Sequence, residues 1–568
     1  MLLKNHKPVI AYFSMEIGLT PEIPTYSGGL GILAGDTVKT AADLKLPFVA
    51  VTLLTKKGYF EQIIDSEGNQ IEYPSNFDPY TKMKLLDVTT YVLIEGRKVY
   101  IRPWVYEVKS QTGGVVPVIY LDTDFDLNTH EDREITHYLY GGDTEYRLKQ
   151  EIVLGIGGVR ILKEMDIEVW RYHMNEGHSA LLTIELLNDK KRSIEEVWDE
   201  NLIWDSDAVK ELCVFTTHTP VAAGHDSFNY NLVYKLLRDD YVPIQVLKKF
   251  AGHDNCNMTY LAMNLSEYIN GVAKKHGEVS RQMFPGYEIN AITNGVHSYT
   301  WVCPAMAKVY DKYIPGWANE PELFVRVETI PDEEIKNARM EAKKALLDFV
   351  EQKTGVKFDL DVLTIGFARR ATAYKRPHLL FYDIERLIKI GEGKIQIIYG
   401  GKAHPHDYEG KRIIKRIFEI ANYLKGKIKL VYLSNYNMDI AKKLVSGVDI
   451  WLNTPQSPLE ASGTSGMKAA HNGVINFSVL DGWWIEGYIE GVTGWSIGKY
   501  QINDNLNEDT SASDADDLYT KLEKEIIPTY YNDKHKWCFM TKNSISKIAY
   551  YFNTHRMMRR YVTEAYLA

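Results

Sequence analysis

Three runs decide the fold when read together: Asp449-Ile450-Trp451-Leu452-Asn453-Thr454-Pro455, then Glu460-Ala461-Ser462-Gly463-Thr464-Ser465-Gly466-Met467-Lys468, then Val474-Ile475-Asn476-Phe477-Ser478-Val479-Leu480. The first (from Val448 to Leu452) and the third are continuous apolar stretches, the pattern of strands buried on both faces. Between them Pro455, Ser457 and Pro458 mark a turn, and small residues from Glu460 open a helix that continues through Ala469, Ala470 and His471. Strand, loop, helix and strand are the unit of a parallel α/β sheet. A loop of Gly, Ser and Thr at a helix start leaves backbone N–H groups aimed outward, with the positive end of the helix dipole behind them, which suits a phosphate. Lys468 lies one turn inside that helix, as a counter-charge or as an amine that forms a Schiff base. Spacing alone does not separate either role from a simple helix cap.

The same alternation surrounds this unit. Strands are expected at 362–368, 395–399, 428–433, 448–452 and 474–480, and helices at 376–390, 410–424 and 438–446. Nearer the start, a strand over Val9–Met15 leads through Tyr26-Ser27-Gly28-Gly29-Leu30-Gly31 into a helix of about 13 residues. This glycine loop lacks the G-x-G-x-x-G spacing of a dinucleotide site, and a ligand-free tight turn explains it equally well. Residues 49–121 read as β-rich and 144–165 as helical, where Gly155, Gly157 and Gly158 point to close helix packing. Two further strands end in polar residues: Val169–Met174 runs into Asn175-Glu176-Gly177-His178, and Cys213–Thr216 into Thr217-His218-Thr219-Pro220. Ligands in parallel sheets collect at such carboxyl ends. The spacings of His173, His178, His218 and His225 match no compact zinc pattern, so no metal is expected. The acidic stretch 503–517 reads as a surface loop and the last ~50 residues as helical.

At 568 residues the chain exceeds the size of a single core. The expected division is a domain over 1–294, a second over 295–545, and a C-terminal helix over 546–568 that packs back on the first. A net charge of −9 argues against nucleic acid as partner. Four dispersed cysteines with no CxxC pair read as free thiols, and no run is long enough for a signal-peptide core or a membrane span, so a cytoplasmic protein is expected.

Ala368-Arg369-Arg370-Ala371-Thr372-Ala373-Tyr374-Lys375-Arg376-Pro377 leaves a strand at its carboxyl end. Four cations in eight residues are ordinarily a solvated face. At this position they also suit a phosphate, arginine as a planar fork and lysine as a point charge.

The string Glu460–Lys468 closely resembles the cofactor-lysine segment of the α-glucan (glycogen, starch and maltodextrin) phosphorylases. The basic run resembles that family's Lys-Arg-x-x-x-Tyr-Lys-Arg signature, with Arg369 in place of the first lysine. The resemblance runs from Ser14-Met15-Glu16 to Asp481-Gly482. It implies two Rossmann-like domains of the GT-B glycosyltransferase architecture with an interdomain cleft. It also implies reversible, configuration-retaining phosphorolysis of α-1,4-glucan by orthophosphate to α-D-glucose 1-phosphate, and pyridoxal 5′-phosphate held as a Schiff base on Lys468. By the same resemblance Arg370 and Lys375 hold the substrate phosphate. Gly463, Thr464, Arg369, Tyr436 and Trp301 contact the cofactor. Gly28, Gly29, Leu30, Glu16, Glu176, His218, Asn294, Glu460 and Ser462 line the sugar site. His218, Arg370, Lys375 and Lys468 form the catalytic set, and a homodimer or higher homo-oligomer is the family analogy. The rival is a nucleotide-sugar-dependent glucan transferase of the glycogen-synthase kind, which has no lysine after Glu-Ala-Ser-Gly-Thr. Three departures stand out: Asn437 where animal and plant members have arginine, Gly18 where they have tyrosine, and Glu176 in place of aspartate. The short chain resembles the bacterial or archaeal type, without the N-terminal regulatory extension of the animal enzymes.

Overall fold

A computed structural model describes residues 8–567 except 194, 196, 198, 200, 201 and 501–508. The chain forms a mixed α/β structure framed by two large sheets. In the first, the parallel strands run in the spatial order Asn290–Ala291, Tyr268–Gly271, Cys213–Thr216, Val169–Asn175, Val9–Phe13, Phe48–Leu53 and Val115–Asp122. Arg97–Lys109 continues it antiparallel. The central strand Val9–Phe13 divides its side chains by period two. Val9, Ala11 and Phe13 join a core with Val51, Leu154 and Ile156 on one face. Ile10 and Tyr12 join another with Leu33 and Val38 of the helix Gly29–Asp43 on the other face.

The second sheet is wholly parallel, in the order Lys429–Leu433, Ile395–Gly400, Leu363–Ala368, Ile450–Asn453, Ile475–Val479 and Gly494–Ile497. Its order reverses between Leu363–Ala368 and Ile450–Asn453. In the first sheet the reversal falls between Val9–Phe13 and Val169–Asn175. Carboxyl ends at such reversals are where ligands gather. The three helical glycines pack as expected: a Cβ on Gly155 would meet the Leu182 amide at 2.6 Å, and one on Gly158 the Phe13 ring at 2.4 Å.

Several expectations change. The segment 376–390 is not one helix, because helical structure is regular only over Ile384–Gly391. Arg376 takes the left-handed conformation at φ 43° while its buried guanidinium donates to the Thr454 and Pro455 carbonyls and pairs with Asp514 at 2.7 Å. The acidic stretch read as a loop supplies that partner, since Ser511–Lys521 is a helix; residues 503–508 of the stretch lie outside the described residues. The helix of the opening motif starts only at Ser465. The strand Gly494–Ile497 and the hairpin Glu61–Ile64/Gln70–Tyr73 have too little apolar pattern to be read from sequence.

That hairpin joins the two halves of the chain. Gln62 exchanges two hydrogen bonds with Asn435 (3.0 and 2.8 Å), and Gln70 does the same with Ala403 (2.9 and 3.0 Å). The C-terminal helices also reach the first sheet: Met557, Met558 and Tyr561 lie in its core, and the Tyr566 hydroxyl is 2.6 Å from His173 Nδ1.

Candidate active site

One cavity of about 1400 Å³ opens between the carboxyl ends of the two sheets. Its wall includes every site residue expected from the sequence. Glu16, Gly28, Gly29, Leu30, Glu176, His218, Asn294 and Trp301 come from the first half. Arg369, Arg370, Lys375, Tyr436, Glu460, Ser462, Gly463, Thr464 and Lys468 come from the second.

The glycine loop of the first half is closed from behind by a carboxylate. Glu16 accepts the Ser27 and Gly28 amides (2.5 and 3.2 Å) and the Tyr140 hydroxyl (3.0 Å). Burial raises its carboxyl above the usual range while these donors pull it back. A side chain at Gly31, in the first turn of the helix Gly29–Asp43, would meet Glu16 Oε2 at 2.6 Å and Tyr26 Cβ at 2.8 Å, so glycine is required there. Glu16 therefore builds the loop, a tighter role than a side chain merely lining a sugar site. Gly18 is confined as well: a Cβ there would meet Ile32 Cδ1 at 2.9 Å and the Tyr26 ring at 3.1 Å, and its carbonyl lies where a Cβ on Gly35 would come within 1.9 Å. The departure from tyrosine goes with a close backbone crossing.

Glu176 sits at φ 75°, where a non-glycine residue is strained, and spends its carboxylate on the next loop. It accepts the His218 amide at 2.7 Å and the Thr219 hydroxyl at 3.0 Å. His218 Nε2 lies 2.7 Å from Asn175 Oδ1, and the amide nitrogen of Asn175 donates to Ser14. That orientation makes Oδ1 the acceptor, so Nε2 carries the proton and Nδ1 is left as an acceptor. Burial, with neighbouring histidines, pushes His218 down to about 3, so the ring is neutral at pH 7. The Asn294 Oδ1 is buried without a hydrogen-bond partner among the described residues.

Charge gathers on the other side. The Glu460 carboxylate is 2.6 Å from both Arg369 and Lys375. Burial would raise it, but the two cations overrule burial and hold it at about 2. Its amide donates to Asp481 at 2.8 Å, a carboxyl pushed up to about 8 by burial with Glu460 adding. Arg370 is exposed to the cavity, whereas Arg376, the last of the four cations, is not in its wall. Gly463 has φ 75°, and the amides of Gly463 and Thr464 find no acceptor among the described residues. Lys468 Nζ stands 4.0 Å over the Trp301 ring, with burial lowering it to about 8. Asn437 Oδ1 caps the helix Met438–Gly447 by accepting the Ile440 amide at 3.1 Å.

Sequence reading missed Tyr59, Tyr140, Arg147, Asp226 and His404, which also line the cavity. Arg147 pairs with Asp226 at 2.9 Å and lies over the Tyr140 ring at 4.6 Å. These residues come from helices and loops with no motif around them, and no sequence signal marks them. Among the described residues no cluster of His, Cys, Asp and Glu is arranged to hold a metal ion, and no helix is long and apolar enough to cross a membrane.

Comparison with known proteins agrees with this geometry. The family described as carbohydrate phosphorylase matches residues 242–492. The maltodextrin phosphorylase of Thermococcus litoralis is 42% identical over 99% of this chain and 71% of its own length. The glycogen phosphorylase of Aquifex aeolicus is 35% identical over 99% of this chain and 86% of its own length. That of Mycobacterium tuberculosis is 34% identical, with 98% and 70% covered. Identity at this level along nearly the whole chain, with the motif residues gathered in one cavity, leads to one conclusion: the chain belongs to the carbohydrate phosphorylase family.

Proposed function

We propose that this protein is an α-1,4-glucan phosphorylase. It transfers the terminal glucosyl unit of glycogen, starch or maltodextrin to orthophosphate, reversibly and with retained configuration, giving α-D-glucose 1-phosphate. The observation that carries the reading is the convergence of Arg369, Arg370, Lys375 and Lys468 on one cavity whose opposite wall offers neutral hydrogen-bonding groups at His218 and Asn294. An anion and a sugar therefore fit side by side. We read the frame as two Rossmann-like domains in the GT-B arrangement, 1–294 and 295–545, with 546–568 returning to the first. A homo-oligomer rests on family analogy. Four free thiols suit a reducing compartment, the cytoplasm.

The residues present fit pyridoxal 5′-phosphate. Lys468 offers a buried amine with no hydrogen bond or ion pair among the described residues, lowered toward the neutral form that a Schiff base needs. Trp301 offers a flat face beside it, Gly463 and Thr464 offer unused amides, and Arg369 and Tyr436 stand close by. When bound, this group would supply a phosphate that serves as acid and base beside the substrate phosphate.

The chain's own residues do the rest. Arg370, in the cavity wall beside the Tyr374 hydroxyl and without a carboxylate partner among the described residues, presents its fork to the substrate phosphate. Glu460 holds Arg369 and Lys375 in place before any anion arrives, so little side-chain entropy remains to be lost on binding. Its other partners in the turnover complex are sugar hydroxyls. His218 Nδ1 and Asn294 Oδ1 accept from glucose hydroxyls without adding charge, and Glu176 keeps His218 in place through its amide.

The test is a spectrum and an assay. The purified protein is expected to show a pyridoxal absorption band that disappears in Lys468→Ala together with phosphorolysis. A colourless native protein that elongates glucan from ADP-glucose would overturn the reading in favour of the nucleotide-sugar transferase.

A further inference from the structure

Behind Trp301 lies a carboxylate that has no part in the proposed reaction. Asp36, on the helix Gly29–Asp43, is 1% exposed. Its Oδ2 accepts the Trp301 indole N–H at 2.8 Å and the His297 amide at 3.1 Å. Its Oδ1 is buried and has no hydrogen-bond partner among the described residues. A buried carboxylate oxygen left without a donor costs free energy unless a charge answers it. The Trp301 ring that binds one side of Asp36 carries Lys468 Nζ on its face.

We infer that Asp36 is a positioning residue for Lys468, its free Oδ1 acting as the counter-charge that keeps the Lys468 nitrogen over the Trp301 ring and decides at which pH that nitrogen holds a proton. The inference rests on the reading of Lys468 as the cofactor lysine and deepens it. The groups facing the pair are few. Lys39, on the same helix as Asp36, donates to Thr300 at 3.2 Å and competes for the carboxylate. Lys442 lies beyond Lys39, on the helix Met438–Gly447. His297 and His555 turn their rings to Asp43, at 2.7 and 3.3 Å. The electrostatics agree in sign: burial lowers Lys468, Asp36 acts against that, and Lys39 adds to it. The amine thus sits between one carboxylate and one rival cation, each of which can be changed separately.

The experiment titrates the visible absorption of the cofactor-loaded full chain between about pH 5 and 10, the range over which a lysine-bound nitrogen with and without a counter-charge titrates. Asp36→Asn is expected to move the midpoint down by about one to two pH units, the usual effect of losing an adjacent opposite charge. Asp36→Glu is expected to recover part of that shift. Lys39→Met is expected to move the midpoint the other way, by roughly half a unit to one unit. A curve for Asp36→Asn that superimposes on the wild type would overturn the inference, as would a band that titrates in none of the variants. If Asp36→Asn does not fold, a Lys39→Met midpoint that stays in place or falls overturns it equally. Failure of the functional reading looks different: a wild-type chain with no band that Lys468→Ala removes. Reductive methylation of Lys468, followed by peptide mass spectrometry in the cofactor-free chain, then decides the matter. There Asp36→Asn is expected to make the amine react at lower pH than in wild type, and equal pH dependence would count against the counter-charge.

Discussion

The cavity is faced by two glycine- and serine-containing loops, Tyr26–Gly31 and Glu460–Gly466, and a carboxylate works in each to opposite effect. In the first, Glu16 takes the Ser27 and Gly28 amides for itself, so the loop is already filled by an anion belonging to the chain. In the second, Glu460 turns away from the loop amides and takes two cations, Arg369 and Lys375. The amides of Gly463 and Thr464 stay open among the described residues. A glycine-rich loop at a strand end is thus not in itself an anion site. What decides is whether a nearby carboxylate reaches the amides first. The first loop should therefore matter for stability and the second for phosphate.

The strongest way to break this distinction is at Arg370, the cation that Glu460 leaves free. Arg370→Lys keeps the charge and loses the fork. Phosphorolysis is expected to fall by roughly tenfold to a thousandfold, about 1.4–4 kcal/mol in the transition state, with cofactor binding retained. Unchanged steady-state kinetics would return Arg370 to an ordinary solvated arginine.

Glu460→Gln is expected to come next, with a signature of its own. Removing the charge between Arg369 and Lys375 leaves two buried cations that attract orthophosphate more strongly, so KM for phosphate should fall. Ordering of the cations and contact with the sugar suffer, so kcat should drop by about tenfold to a hundredfold. A rise in KM with kcat intact would show that Glu460 does not hold these cations for phosphate.

In the first loop Glu16→Gln sharpens the other half of the comparison. The amide oxygen still accepts from Ser27 and Gly28, but the charge assistance is gone, for a loss of about 1–2 kcal/mol of stability. A lower melting temperature is expected, with KM for phosphate unmoved. A large rise in that KM would mean that the first loop also serves the anion.

How much of this is legible in sequence follows the range of the forces involved. The second sheet reads well because its strands are unbroken apolar runs such as Ile395–Gly400, buried throughout. Both loops read as loops because glycine, serine and threonine mark turns locally. Gly31, however, is needed because of Glu16, and Arg376 is removed from the basic run by Asp514, a contact across 138 residues. The helix Ser511–Lys521 looks like a loop because its aspartates are polar, yet Asp514 is buried by that same arginine. Charge pairing at long separation leaves no periodic trace, so sequence located the cavity wall and not which groups in it are already spoken for.

Acid separates the two walls again. His173, His178 and His218 in the first half are each pushed down to about 3, chiefly by burial. A base whose folded pKa is depressed binds fewer protons folded than unfolded below about pH 6.5, so stability is lost as pH falls through that value. The loss is up to about 1.4 kcal/mol per pH unit for each histidine, less where the pocket admits water. Glu460 is depressed to about 2, so its contribution is intact above the ordinary carboxylate range and is lost only as pH falls from about 4.5 toward 2. His471 in the second half is pushed down to about 4 by burial and weakens it by the same route. Three such histidines act in the first half against this one, so between about pH 6.5 and 4.5 the first wall should weaken more while the ion triad of the second still holds. Hydrogen exchange across that range is expected to show strands Val169–Asn175 and Cys213–Thr216 losing protection before Leu363–Ala368 and Ile450–Asn453. Simultaneous loss in both sheets, or earlier loss in the second, would show that the histidines do not set the acid limit of this fold.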